Sequence, residues 1–134
     1  MKEVQENRAV LAMIAIMVAF NGLLLSLNGV FMLIAPATWY EFVPGVTDTG
    51  FFNQHFIRDI GLIYGLMGIA FLIGAIQAQA RVFLWISATA FLVGHALFHF
   101  WEVAVGICEP SAIARDFPAV TLPAILGSPV GGKP

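Results

Sequence analysis

Residues 82–107 read VFLWISATAFLVGHALFHFWEVAVGI. The run holds no Lys, Arg or Asp, and its ionisable groups are His95, His99 and Glu102. A helix that crosses a bilayer needs about 20 mainly apolar residues, at a rise of about 1.5 Å each. These residues are long and apolar enough to cross, and lipid is the solvent they suit. Working outward, Arg81 separates this run from a second apolar run, residues 52–80. A third, residues 9–35, lies nearer the N-terminus, with no charge between Arg8 and Glu41. It is far longer than the 7–15 apolar residues of a signal peptide.

Composition agrees. The chain has 134 residues, 60% hydrophobic and 10% charged, where soluble domains carry about 25% charge. Six Lys/Arg against eight Asp/Glu leave a net charge of −2. So few scattered cations build no nucleic-acid surface. One Cys excludes a disulfide framework and any multi-Cys metal centre. The predicted fold is all-α: an integral membrane helical bundle in a single membrane domain, residues 1–134. Three transmembrane helices, about 9–35, 52–80 and 82–107, precede a short C-terminal segment, 108–134. In that segment the apolar run Phe117 to Leu126 is short and interrupted by Pro118 and Pro123. It is expected to be interfacial or re-entrant, or a stunted fourth helix. The tail from Ser128 to Pro134 reads as turn-like.

Lys2, Arg8 and Arg81 flank the spans on one side, while residues 36–50 carry Glu41 and Asp48 and no Lys or Arg. The positive-inside rule then places the N-terminus in the cytoplasm and this loop outside. Trp39, Tyr40 and Trp101 are expected in the outer headgroup belt and Trp85 in the inner one. Residues 36–53, rich in Pro, Gly and aromatics, read as an irregular or partly helical cap on the membrane surface.

Small residues mark packing faces. Gly61 and Gly65 form a G-x-x-x-G, with Gly68 near the same face, and Ala90 and Gly94 repeat the interval on the third span. The expected use is packing of spans two and three on each other; self-association is the alternative. Three spans form a thin bundle, so a homo-oligomer or a larger membrane complex is expected to complete its wall.

All three histidines keep company with charges inside the apolar runs. His55, Arg58 and Asp59 open span two, and His95, His99 and Glu102 close span three. His55 and Asp59 share a face at i, i+4, as do His95 and His99, and Glu102 follows His99 by three. The two stripes overlap in depth near the outer leaflet, where Asn28 of span one also falls, with Asn21 about two turns deeper. Polar groups at such depth are costly, face the bundle interior and mark function by default. Imidazole and carboxylate suit copper, zinc or iron. The expected ligands are His55, Asp59, His95, His99 and Glu102, with Arg58, Asn28 and Asn21 supporting them. Haem fits less well, since two histidines at i, i+4 cannot take opposite faces of one porphyrin. A metal-free polar network or proton relay is the other reading. Cys108 is expected to face away from His99. No catalytic residue is assigned.

Arg8 before a long first span, the loop from Pro36 to Gly50, and the Gly-rich second span opening Asn53-Gln-His-Phe-Ile-Arg-Asp59-Ile-Gly61 resemble the DoxX-like small membrane proteins of bacteria. The resemblance covers residues 8–107 and implies a four-helix bundle in a bacterial inner membrane. This chain departs from it in its short fourth segment. Some members of the group are linked to quinone-coupled oxidation of small sulfur compounds, an activity not carried over here. Three functions are expected on these grounds. One is a transition-metal site near the periplasmic face. A second is an accessory subunit of a membrane redox complex, its polar cluster structural or contacting a quinone. The third is a metal-free enzyme or transporter using a proton relay.

Overall fold

The computed structural model describes residues 2–128, so most of the tail read as turn-like lies outside the described residues. Helix α1 spans Lys2–Ile34, α2 Pro36–Phe42, α3 Gln54–Ile76 and α4 Ala78–Ala104. Two short helices, α5 (Ser111–Asp116) and α6 (Leu122–Gly127), are joined by a wide π-helical turn, Phe117–Thr121. Every regular element among the described residues is helical. Helices α1, α3 and α4 are long and apolar enough to cross a membrane.

Local chemistry sets the boundaries. Pro36 cannot donate to α1 and sits at the first turn of α2, where no N–H is needed. Asn53 caps α3, its side chain accepting from the Phe56 N–H at 3.1 Å. A single extended residue, Gln77, separates α3 from α4. Two arginines finish helix C-termini, whose last carbonyls have no partner within the helix. Arg81 donates to the Gly74 and Ala75 carbonyls of α3 at 2.9 and 3.2 Å. Arg58 donates to the Leu33 carbonyl of α1 at 3.0 Å.

The core runs along α1, α3 and α4 through Val18, Leu25, Met32, Phe71 and Leu92. The glycine face of α3 meets α1, which corrects the expectation that it meets α4. A Cβ on Gly29 would lie 2.6 Å from the Gly61 carbonyl and the Gly65 nitrogen, and one on Gly22 would lie 2.8 Å from the Gly68 carbonyl. Gly22, Ser26 and Gly29 give α1 its own small face, so the two backbones nest. Ala90 and Gly94 point outward instead, and no atom would lie within 4 Å of a Cβ on Gly94. Trp85, expected at the inner interface, is a core residue. It is 5% exposed, packs on Gly74 and donates to the Phe71 carbonyl at 3.2 Å. Trp101, by contrast, is 52% exposed.

The C-terminal segment is a fourth, short helix packed into the bundle against α1 and α4. From Ser111 to Gly127 it covers about 25 Å at ordinary helical rise. Its prolines do not stop it. Pro123 has no N–H to give, and the wide turn before it lets the Leu122 N–H reach the Phe117 carbonyl five residues back. Thr89 donates to the Gly127 carbonyl at 2.6 Å and Asn21 to the Pro123 carbonyl at 3.0 Å, tying the helix to α4 and α1.

Candidate functional site

The buried stripe of α4 runs through Trp85, Ala88, Leu92 and Ala96. His95 and His99 lie along it, half-buried and facing the bundle. Their rings meet edge to face at 4.7 Å between centroids. On the inner side of His95, the buried Tyr64 of α3 stands edge-on at 6.2 Å. On the outer side, His99 Nδ1 faces Asp116 Oδ2 at 3.2 Å. A carboxylate accepts, so Nδ1 is the nitrogen that donates in this contact, and Nε2 has no hydrogen-bond partner among the described residues.

Asp116 closes α5, and only 15% of its side chain is exposed. Its other oxygen accepts from Arg115 Nε at 2.8 Å, and Arg115 Nη1 reaches Asp48 Oδ2 at 3.0 Å. The hydrogen bond to Asp116, reinforced by the charge of both carboxylates, pushes Arg115 still higher than its already high ordinary value. Tyr64, His95, His99, Asp116, Arg115 and Asp48 thus form one series from the bundle interior to its surface. It joins α3, α4, the fourth helix and the loop after α2.

Asp116, Arg115 and Asp48 were not among the residues expected from the sequence. The signal for the first two was there: adjacent opposite charges directly ahead of an apolar run. Asp48 carried none, because only the fold brings a loop residue to a helix 67 positions later.

The expected convergence of the two histidine clusters does not occur. His55 and Asp59 pair with each other at 3.2 Å on the outward face of α3, with side chains 88% and 54% exposed. The inward stripe of α3 is Ile57, Gly61, Tyr64 and Met67, and a helix turns His55 and Asp59 away from it by roughly half a revolution. Glu102 is half-buried and has no side-chain hydrogen bond among the described residues. The supporting roles also change. Arg58 holds the end of α1 rather than Asp59. Asn28 accepts from the Trp39 indole at 2.9 Å and pins α2 to α1. Asn21 holds the fourth helix. Among the described residues, no three His, Cys, Asp or Glu side chains are placed to hold one metal ion.

No protein-family model, curated protein or solved structure matches this chain. The site therefore stands on its own geometry. Beside it lies a small cavity of about 10 Å³, lined in part by His99, Asp116 and Cys108, which is room for about one water. Cys108 was expected to face away from His99. It reaches the same cavity because α4 ends at Ala104 and Gly106, at φ +80°, reverses the chain.

Proposed function

We propose that this chain is a small integral membrane protein that handles protons through His95, His99 and Asp116. The observation that carries this reading is the 3.2 Å contact between His99 Nδ1 and a mostly buried carboxylate. The groups stand in series between a buried tyrosine and a surface ion pair, and they do not surround one point. His99 passes charge between its two ring nitrogens, and Asp116 steadies the imidazolium when it forms. Arg115 holds Asp116 in place through its Nε hydrogen bond. With the N-terminus in the cytoplasm, as the flanking Lys and Arg favour, the series opens on the periplasmic side of a bacterial inner membrane.

The test is a titration of nitrogen-labelled histidines by NMR in maltoside micelles. A relay requires reversible protonation of His99 in or near the range of about pH 5–8 where imidazoles act. It also requires Asp116→Asn to displace the titrations of both His99 and His95, though His95 does not touch the carboxylate. Two imidazoles that keep one protonation state throughout, in wild type and variant alike, overturn the reading.

A second reading rests on the free Nε2 of His99. A carboxylate on Nδ1 is how metal-ligating histidines are held, and the His95 ring lies 4.7 Å away, centroid to centroid. Copper, zinc or iron would take these two nitrogens and need further ligands from solvent or a partner. Stoichiometric metal in protein purified without chelators, lost together in His95→Ala and His99→Ala, supports this reading. Only trace metal in that preparation overturns it. A partner chain, either a second copy or a larger complex, would also cover the outward His55–Asp59 pair, which is expensive to leave against lipid.

A further inference from the structure

A second cleft lies at the same end of the bundle, away from His95 and His99. Its volume is about 120 Å³, and its walls include Trp39 and Tyr40 from α2, Phe51 from the loop and Phe56 from α3. Four aromatic residues line this one opening, and polar atoms near them are already engaged. The Trp39 N–H is given to Asn28 at 2.9 Å. The Tyr40 hydroxyl is given to the Gly50 carbonyl at 2.6 Å. Asn53, also on the wall, spends its oxygen capping α3. These bonds hold the Trp39 and Tyr40 rings in place, and Phe52 braces Tyr40 edge-on at 5.5 Å. What the cleft offers a ligand is chiefly aromatic surface.

Charge narrows the choice. Residues 36–59 carry Glu41, Asp48 and Asp59 against a single cation, Arg58, which is turned to the Leu33 carbonyl. The nearby cation from the fourth helix, Arg115, is committed to Asp48 and Asp116. An anion would find Arg58 and Arg115 already engaged and few free donors here. A small primary ammonium would surrender its hydration without carbonyls in return. A methylated cation loses little hydration and gains the electrostatic attraction of several ring faces. On the scale that gives the 10 Å³ cavity room for about one water, this cleft holds several, which is ample room for a trimethylammonium head.

We propose that the cleft formed by Trp39, Tyr40, Phe51 and Phe56 binds a quaternary ammonium group. The site sits where α2 and the loop meet the headgroup level, so the group comes either from a choline lipid or from a free small molecule. Phe51 is fully exposed, so its replacement does not threaten the fold. The probes are choline, its neutral isostere with carbon in place of nitrogen, and vesicles of phosphatidylcholine against phosphatidylglycerol. The readout is the Trp39 indole N–H resonance of the whole chain.

Choline in maltoside micelles should move that resonance in a saturable way, and the isostere should not. Phe51→Leu keeps apolar bulk but removes the ring, and should weaken binding about three- to fivefold, the worth of one exposed cation–π face. Phe51→Tyr should retain it. A response to phosphatidylcholine vesicles alone assigns the site to a lipid head, and a response to free choline assigns it to a soluble ligand; both uphold the proposal. Equal binding of the neutral isostere overturns it, as does no response in either arm.

Discussion

At Gly29 a side chain has nowhere to go. Its Cβ would meet backbone atoms of Gly61 and Gly65 at 2.6 Å, and backbone cannot rotate aside as a flexible side chain can. Gly29→Ala should therefore push α1 off α3 and cost about 1–3 kcal/mol, the usual range for overpacking. Gly94→Ala is the control on α4, where the added methyl meets open space. It should be neutral or slightly stabilising, since alanine favours helix. Thermal unfolding in detergent checks both. A larger loss at Gly94 than at Gly29 would mean that a partner covers the outward face of α4. That α3 has a small-residue face was legible from Gly61, Gly65 and Gly68. Which helix meets it was not, because spacing describes one surface and says nothing of its partner. Histidine placement divides the same way. The i, i+4 spacing predicted each pair's shared face, and both pairs share one. Whether a face looks inward depends on the apolar stripe beside it. Leu92 and Ala96 carry His95 and His99 inward, while Ile57 and Gly61 turn His55 and Asp59 out.

The fourth helix shows what element-level reading misses. Two prolines in a run of ten apolar residues argue against a straight span, and the run by itself is too short to cross. The helix nonetheless starts earlier, at Ser111, in polar residues that the apolar pattern excludes. A wide turn then absorbs the prolines, so the sequence signal for a break is answered by local rewinding. That early start is what delivers Asp116 to His99. The helix is anchored at its deep end by two donors from other helices, Thr89 and Asn21. Thr89→Val leaves the Gly127 carbonyl, at the helix C-terminus, unmatched in an apolar setting, and Asn21→Leu removes the added donor at the Pro123 carbonyl. Each should cost about 0.6–1.5 kcal/mol. The loss should be local: hydrogen exchange should quicken across residues 111–127 while α1 and α3 keep their protection. Unchanged exchange in the double variant would assign the docking to the packing of Ala124 and Gly127 alone. Exchange that quickens equally in all helices would show that the fourth helix is integral to the cooperative core.

For the whole molecule, the three long spans were legible because lipid imposes a length. About 20 apolar residues are needed to cross, and few other folds demand such runs. The arrangement of ends follows from that count. The loop after α2 and the end of α5 meet through Arg115 and Asp48, while the α3–α4 turn at Gln77 lies at the other end of the bundle. The side of the membrane on which each end sits is then set by charge. Lys2, Arg8 and Arg81 are sequence neighbours of one end, and residues 36–57 at the other end have no Lys or Arg. Arg81 is partly withdrawn from this vote, since it caps α3 and lies 5.3 Å above the Trp85 ring. On the positive-inside rule, Lys2 and Arg8 are then expected to carry the orientation against Arg58 and Arg115 at the other end. The chain has one cysteine, so a clean assay needs only Cys108→Ala as background. On that background, Thr49→Cys reports the loop end and Gln79→Cys the turn end, both at exposed positions. In intact bacterial cells, a membrane-impermeant maleimide should label the cysteine at 49 and leave the one at 79 until the cells are opened. Adding Lys2→Gln and Arg8→Gln should weaken that bias and give partial labelling of both. The opposite labelling pattern in the parent pair would place the His99–Asp116 series on the cytoplasmic side.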